Sequence, residues 1–244
     1  MPSVHDLTNE AGFIFEGELE QLGASTAAGF PASSETAIVR VTKVHRSPGA
    51  LAGYSGQRVT VALQPPVSLT VGQSAVFFTH GLHYGEGLVV RELGNAPGGA
   101  TMESDMNNAA LAGIDSEVTQ RLAQADLVIT GVASAPKPYG AAAEPGATRA
   151  SEHDAKWWVS TITVETVEKG VHSGPTKDIL FPSSTDIAWY RSPKVKAGDR
   201  GVWILHKRNQ FGKPVPDHAV VHPMDFQPIE QAERVRILLR GGQR

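Results

Sequence analysis

Apolar and polar residues alternate along several short stretches of this chain, the period-two pattern of strands with one buried face. Phe13, Phe15, Gly17 and Leu19 share one face of the first stretch, and Glu16, Glu18 and Glu20 share the other, solvated one. Thr36–His45 follows, with Val39, Val41 and Lys43 on one side and Ile38, Arg40, Thr42 and Val44 opposite. Val59, Val61 and Leu63 mark a third strand over Arg58–Leu63, which Pro65-Pro66 ends because proline cannot donate to a ladder. Ser74–Thr79 and Leu88–Leu93 supply two more, joined by His80–Gly87. Gly/Ser/Pro punctuation at Gly23–Ser34 and Ser47–Gly56 separates these runs. Five short strands with turn signals between them predict a sandwich or a small barrel.

The chain then repeats the statement. Phe13-Ile14-Phe15-Glu16-Gly17 matches Leu127-Val128-Ile129-Thr130-Gly131, each an apolar run closed by glycine. Ile38–Val44 aligns with Thr161–Val167, and Val71–His80 with Ala197–His206. The interval between paired positions widens along the chain, as longer loops in a second copy require, so the pattern is a tandem duplication of one β-domain. Strands of the second copy are expected at Leu127–Val132, Trp157–Glu168, Asp178–Phe181, Gly201–Lys207 and His218–Pro223, with an enlarged loop at Ala135–Lys156. Helical spacing occurs at Asp6–Ala11, at Ser116–Ala123 (Val118 and Leu122) and at Ile229–Leu239, where Ile229, Ala232, Val235, Leu238 and Leu239 form one stripe stopped by Gly241. Gly94–Asn108, rich in Gly, Ala and Asn, has the composition of a linker. The expected layout is a first β-domain over 1–94, a linker over 95–115, a second β-domain over 116–226 and a C-terminal helix over 227–244, able to dock on the first domain or on a neighbour.

Each copy resembles an oligonucleotide/oligosaccharide-binding (OB) barrel: five strands, a long loop after the first, a glycine closing strand one and a Gly-x-x-x-aromatic fourth strand. More narrowly, Phe13…Gly17, Val39-x-Val41-x-x-Val44 and Gly72-x-x-x-Val76-Phe77-Phe78 are similar to the domain shared by netrin C-terminal modules and tissue inhibitors of metalloproteinases. The resemblance implies a mainly β fold of two tandem five-stranded OB-like barrels with short flanking helices; two immunoglobulin-like β-sandwiches are the structural alternative. Those families depend on disulfides, and the inhibitors place an N-terminal cysteine on the target zinc. This chain has no cysteine and begins Met1-Pro2, so protease inhibition does not carry over.

Composition narrows the function classes. At 244 residues, two domains can each bury a core. A net charge of −3 argues against a general nucleic-acid binder, which needs a basic face to release counterions. The charge is uneven: 6 Lys/Arg against 12 Asp/Glu before Asp126, and 16 against 13 from Asp126 on, a split that fits drift between the duplicated halves ahead of a modest, salt-screened preference for head-to-tail contact. Without cysteine, disulfides, thiolate catalysis and cysteine-bound zinc are excluded. No apolar stretch approaches the ~20 residues that span a bilayer. The N-terminus lacks a basic n-region and an apolar h-region, so a cytoplasmic location, or export without a Sec-type signal, is expected.

Histidine is the only potentially catalytic residue type that clusters. His80 and His83 are expected to flank a turn at the end of the fourth strand, His206 is the counterpart of His80, and His218 and His222, four apart on a strand, would point to one face. They are weak metal candidates, because no third ligand repeats between the copies, and Lys207-Arg208 follows His206. His80 and His206 are expected to cap strand ends by hydrogen bonding. Walker A, Gly-x-Gly-x-x-Gly and His-Glu-x-x-His motifs are absent, and Gln57 breaks the nucleophile-elbow pattern after Gly53-Tyr54-Ser55-Gly56.

Trp157-Trp158 lies on a strand, so one ring enters the core and the other is either a partner anchor or packs under the Ala135–Lys156 loop. Trp189, Tyr190 and the loop-tip Tyr84 complete the partner-binding candidates. These residues lead to a non-enzymatic scaffold or interaction protein that needs no cofactor and binds a protein partner or itself. The alternative is a ligand-, glycan- or metal-binding protein, hydrolytic in one form, using histidines and aromatics at the barrel mouths.

Overall fold

A computed structural model describes residues 2–85, 87–139, 156–184, 186, 189–207 and 217–242, with backbone alone for 82–84. The chain divides into two compact units, residues 1–113 and 114–244.

In the first unit, α1 (Val4–Glu10) begins at Ser3, whose hydroxyl accepts from the Asp6 amide at 3.2 Å while the Asp6 carboxylate accepts from the Ser3 amide at 3.1 Å. Strands β1 (Phe13–Leu22), β2 (Thr36–Arg46), β3 (Arg58–Ala62), β4 (Ser74–Tyr84) and β5 (Leu88–Ala96) close into a barrel of order β1-β2-β3-β5-β4. Every pairing is antiparallel except β3 with β5, the mixed topology consistent with an OB-like fold. Alternate residues fill the interior: Phe13, Phe15, Leu19, Val39, Val41, Val59, Val61, Phe77 and Val90. The ring of Phe15 stacks on Phe77 at 5.3 Å. Ile14, Val76 and Phe78 point outward and are covered by Leu7 and Ala11 at the end of α1 and by Met106 of α2 (Ala100–Gln124). Both faces of Phe13–Phe15 are therefore buried.

The second unit takes the rest of α2, then β6 (Leu127–Ala133), β7 (Lys137–Pro138), β8 (Trp157–Lys169), β9 (Thr176–Pro182), β10 (Arg200–Lys207), β11 (His218–Ala219), β12 (Phe226–Pro228) and α3 (Ala232–Gly241). Strands β6, β8, β9, β11 and β10 close a second five-stranded ring, again with a parallel step, Ala219 beside Leu180. Strand β12 extends the pairing of β10, and β7 that of β8. Trp203, Ile129, Ile162, Ile179 and Phe181 form the interior.

The duplication reaches individual hydrogen bonds. The Gly72 amide donates to Leu19 O at 2.8 Å, and the Gly198 amide to Ala133 O at 2.9 Å; both glycines hold a positive φ, 84° and 87°, that favours glycine. The fifth strand differs. In the first barrel it is continuous over Leu88–Ala96, whereas in the second the 3-10 turn Pro223–Asp225 divides it into β11 and β12.

Two expectations are refined. The stretch expected as a linker, 95–115, holds the end of β5 and much of a 25-residue helix, and the division between the two units falls within it. Met102, Met106 and Ala109 recur at helical spacing there, a stripe obscured by the surrounding Asn and Gly. The C-terminal helix packs on its own barrel: Ala232 and Val235 join Val118 and Leu122 of α2 over Val128, Val202 and Ile204. Its arginines are paired within that unit: Arg234 with Asp115, Arg236 with Glu168 and Arg240 with Glu233.

Candidate functional site

The histidines separate into unlike surroundings. Strand β4 continues to Tyr84, so His80 lies within the strand, exposed and opposite Arg91, and His83 lies further along it, not across a turn. The side chains of His83 and Tyr84 lie outside the described residues.

His206 faces a cluster that sequence reasoning missed. Asp225, fully buried, accepts from Arg121 Nε at 2.7 Å and Nη2 at 3.1 Å, and from the backbone amides of Val221 at 2.9 Å and His222 at 2.8 Å. His206 Nε2 lies 3.4 Å from Oδ1, outside hydrogen-bonding alignment. Burial pushes the Asp225 carboxyl up, and the contacts from His206, Arg121 and the two amides outweigh it, leaving the acid below its ordinary range. His222 caps the dividing turn, its Nδ1 accepting from the Met224 amide at 3.2 Å. The His222-Pro223-Met224-Asp225 string, a cap, a proline and an acid three residues on, is the sequence signal for this turn. The arrangement anchors the interruption of the fifth strand to α2. A cavity of about 280 Å³ lies beside it, lined by Glu117, Arg191, Ser192, Val221, His222 and Pro223. Ser192 Oγ donates to Val221 O at 2.7 Å, which commits its proton to the backbone.

His218 and His222 do not share a face as expected, because β11 ends at Ala219 and His222 belongs to the turn. His218 Nδ1 lies 3.1 Å from Asp217 Oδ1, and Lys177 Nζ donates to the same oxygen at 2.9 Å. The lysine hydrogen bond, opposed by desolvation and aided by His218, lowers the Asp217 carboxyl to about 2. Burial first, against the pull of Asp217, lowers His218 below 6.5. The folded state thus resists protonation of His218: its contribution to stability is complete above about pH 6.5 and is lost as pH falls through the lower folded value. The urea midpoint of the second unit is expected to decline between pH 7 and pH 5. The decline should be flatter in His218→Gln; equal slopes for the two proteins would remove His218 as its source.

Among the described residues, no group of three or more His, Asp or Glu side chains is placed to hold a metal ion. No helix among them is long and apolar enough to cross a membrane.

The aromatic residues are brought together. Trp158 packs on the interior cluster of the second barrel, and Trp157, pointing the other way, packs outside it with Tyr139 and Val221 over Val159, Leu180 and Ala219. Trp157 meets Trp189 edge-on, with centroids 5.8 Å apart. Lys194 Nζ holds this segment by donating to Pro182 O at 2.9 Å and Trp189 O at 2.8 Å. Tyr190, beside it, is 58% exposed. Most of the Ala135–Lys156 loop, the alternative cover for the outward ring, lies outside the described residues at 140–155. The sequence identified which strand carries the outward ring but not its edge contact with Trp189, which depends on the return of the chain after β9.

Fold and surroundings define a mainly β protein of two closed five-stranded barrels. The chain matches no protein-family model and no curated protein.

Proposed function

We propose that this is a non-enzymatic protein whose work is protein–protein association, with a second copy of itself as the partner. The observation that carries the reading is the outward aromatic cluster of the second unit, with Trp157 and Trp189 in edge contact and Tyr190 exposed beside them. Large aromatics on a surface concentrate binding energy when a partner desolvates them. Polar groups elsewhere in the same unit are engaged in structural work: Asp225 with Arg121, and Asp217 with Lys177. Charge supplies the complement. Residues 1–113 carry 5 Lys/Arg against 10 Asp/Glu, and residues 114–244 carry 17 against 15, so contact between unlike units is favoured over contact between two first units. Such a contact is heterologous and builds rings or filaments. The likeness to the netrin and tissue-inhibitor-type domain, taken as a likeness of fold, suits a binding module.

Light scattering at about 0.05 M and about 0.5 M salt tests this, since screening weakens contact between exposed charges. An assembled mass at low salt is expected, falling at high salt and falling further in Tyr190→Ala with the far-ultraviolet spectrum unchanged. A monomer at both salts, or an oligomer indifferent to Tyr190→Ala, overturns the proposal.

A further inference from the structure

The duplication provides an internal comparison for one cavity of the first unit. At the end of the second barrel's β8, Glu168 sits in a bulge, between Val167, opposite Ile129, and Lys169, opposite Val128. Its carboxylate accepts from Thr130 at 2.8 Å and from Arg236 of α3 at 2.9–3.1 Å, while Lys169 Nζ donates to Leu122 O at 2.7 Å. Leu122 is buried in the helix-to-barrel cluster. That corner is closed: each polar group has partners and the apolar position holds an apolar residue.

In the first barrel the same register places His45 in the bulge, between Val44, opposite Phe15, and Arg46, opposite Ile14. Arg46 donates to Thr8 O, as Lys169 does to Leu122 O, which sets Thr8 at the position of Leu122. Glu16 stands where Thr130 stands, but its carboxylate lies 3.9 Å from His45 Nε2, too far for a hydrogen bond. The helix above contributes Glu103, paired with Lys43, in place of a partner for His45. The result is a cavity of about 240 Å³ against Thr8, Ile14, Lys43, His45, Arg46 and Met106. Thr8 is 1% exposed, and its Oγ1 has no hydrogen-bond partner; neither has the buried Nε2 of His45. Buried polar atoms are ordinarily paired, so two orphans on one cavity point to a molecule that pairs them.

We propose that this cavity binds a small monocarboxylate with a short apolar tail. Lys43 and Arg46 are balanced by Glu103 and by Glu16, 3.9 Å from His45 Nε2, so the set of donors and not a net charge selects the ligand. A carboxylate is the anion a guanidinium receives best, and it accepts from a threonine hydroxyl and an imidazole N–H as well. Burial, reinforced by Lys43, holds His45 below its ordinary value, so the ring stays neutral at pH 7 and offers one N–H. Ile14, Val44, Met106 and Ala110 take the tail. The volume lies below the roughly 300 Å³ at which drug-sized ligands begin, which limits the ligand to a few carbons. The site lies within the first unit and does not depend on the association proposed for the second.

Amide NMR of the full chain titrated with butyrate, and in parallel with the neutral isostere butanamide, tests the assignment. Saturable shifts are expected at Thr8, at Lys43–Arg46 and along 103–110, with butanamide weaker by about tenfold or more. Thr8→Leu installs the second copy's residue: it should raise the melting temperature, keep the spectrum dispersed and abolish the shifts. Should that variant fail to fold, Asn107→Leu, an exposed position on the cavity rim, closes the cavity from the helix side. Shifts that do not saturate, equal binding of the amide, or a filled variant that titrates like the wild type would each overturn the proposal.

Discussion

Arg121→Met is expected to destabilise the second unit by about 3–5 kcal/mol, the usual cost of stranding one partner of a buried ion pair. Asp225 is fully buried and takes two of its hydrogen bonds from Arg121. Methionine fills the apolar path of the arginine stem but leaves the carboxylate with two backbone amides and a histidine 3.4 Å away. Burial, which already pushes the acid up, then goes largely unopposed. The pH dependence should change accordingly. A depressed carboxyl contributes stability that is present above its unfolded value, near 3.9, and is lost as pH falls through the folded one. In the variant, where burial pushes the acid up instead, the sign reverses: the cost of the stranded carboxylate is full well above the raised value and is relieved as pH falls through it.

Two readouts distinguish this effect from a general loss of packing. Arg121→Met combined with Asp225→Leu removes both charges and should recover much of the loss, since buried pairs exchanged for apolar groups are often neutral. Hydrogen exchange should rise first at Val221 and His222, whose amides bind the carboxylate. A single variant within about 0.5 kcal/mol of wild type would show that Asp225 is not charged in the folded protein.

The same cluster shows what the sequence made legible and what it did not. The strands were readable because alternation is a local signal: Phe13, Phe15 and Leu19 reach one interior, and Ile129 and Trp203 the other, as the period requires. The helix over 100–124 was half hidden, because within the first unit Met102 and Met106 are its only large apolar residues in the core cluster, Leu111 is exposed, and polar residues and Gly surround them. Asp225 was not readable as a partner of His206. Its arginine is 104 residues away in sequence, and the turn that brings it inward is an interruption present in one copy only. His80 and His206 look equivalent in the alignment, yet one is exposed beside Arg91 and the other faces a buried acid. Long-range pairing of single polar residues leaves no periodic trace. The Thr8 cavity is a related case: Thr8 against Leu122 is a difference between copies that carries meaning only once register shows the positions to be the same.

Gly131→Ala is expected to cost about 1–3 kcal/mol or more through overpacking, and to cost more than Gly17→Ala. Each glycine stands at a register shift between the first and second strands of its barrel. A Cβ at Gly131 would fall 2.3 Å from Thr163 O and 2.7 Å from Ile162 Cγ2. A carbonyl within a ladder cannot rotate away, so the strands must part. At Gly17 the nearest atom would be a methyl of Val39 at 2.6 Å, with Arg40 O at 2.9 Å, and a side chain yields more readily than backbone. Gly131 carries a second duty, since its carbonyl accepts from the indole of the fully buried Trp203 at 3.1 Å, where the first copy has Phe77 and no such donor. Parting β6 from β8 would lengthen that bond and leave a buried N–H poorly paired. Peptide-level hydrogen exchange reads the two substitutions separately, on β2 and on β8. Protection should fall further on β8 in Gly131→Ala than on β2 in Gly17→Ala; the reverse order would mean that β8 yields more easily than β2, and that closeness of approach does not set the cost.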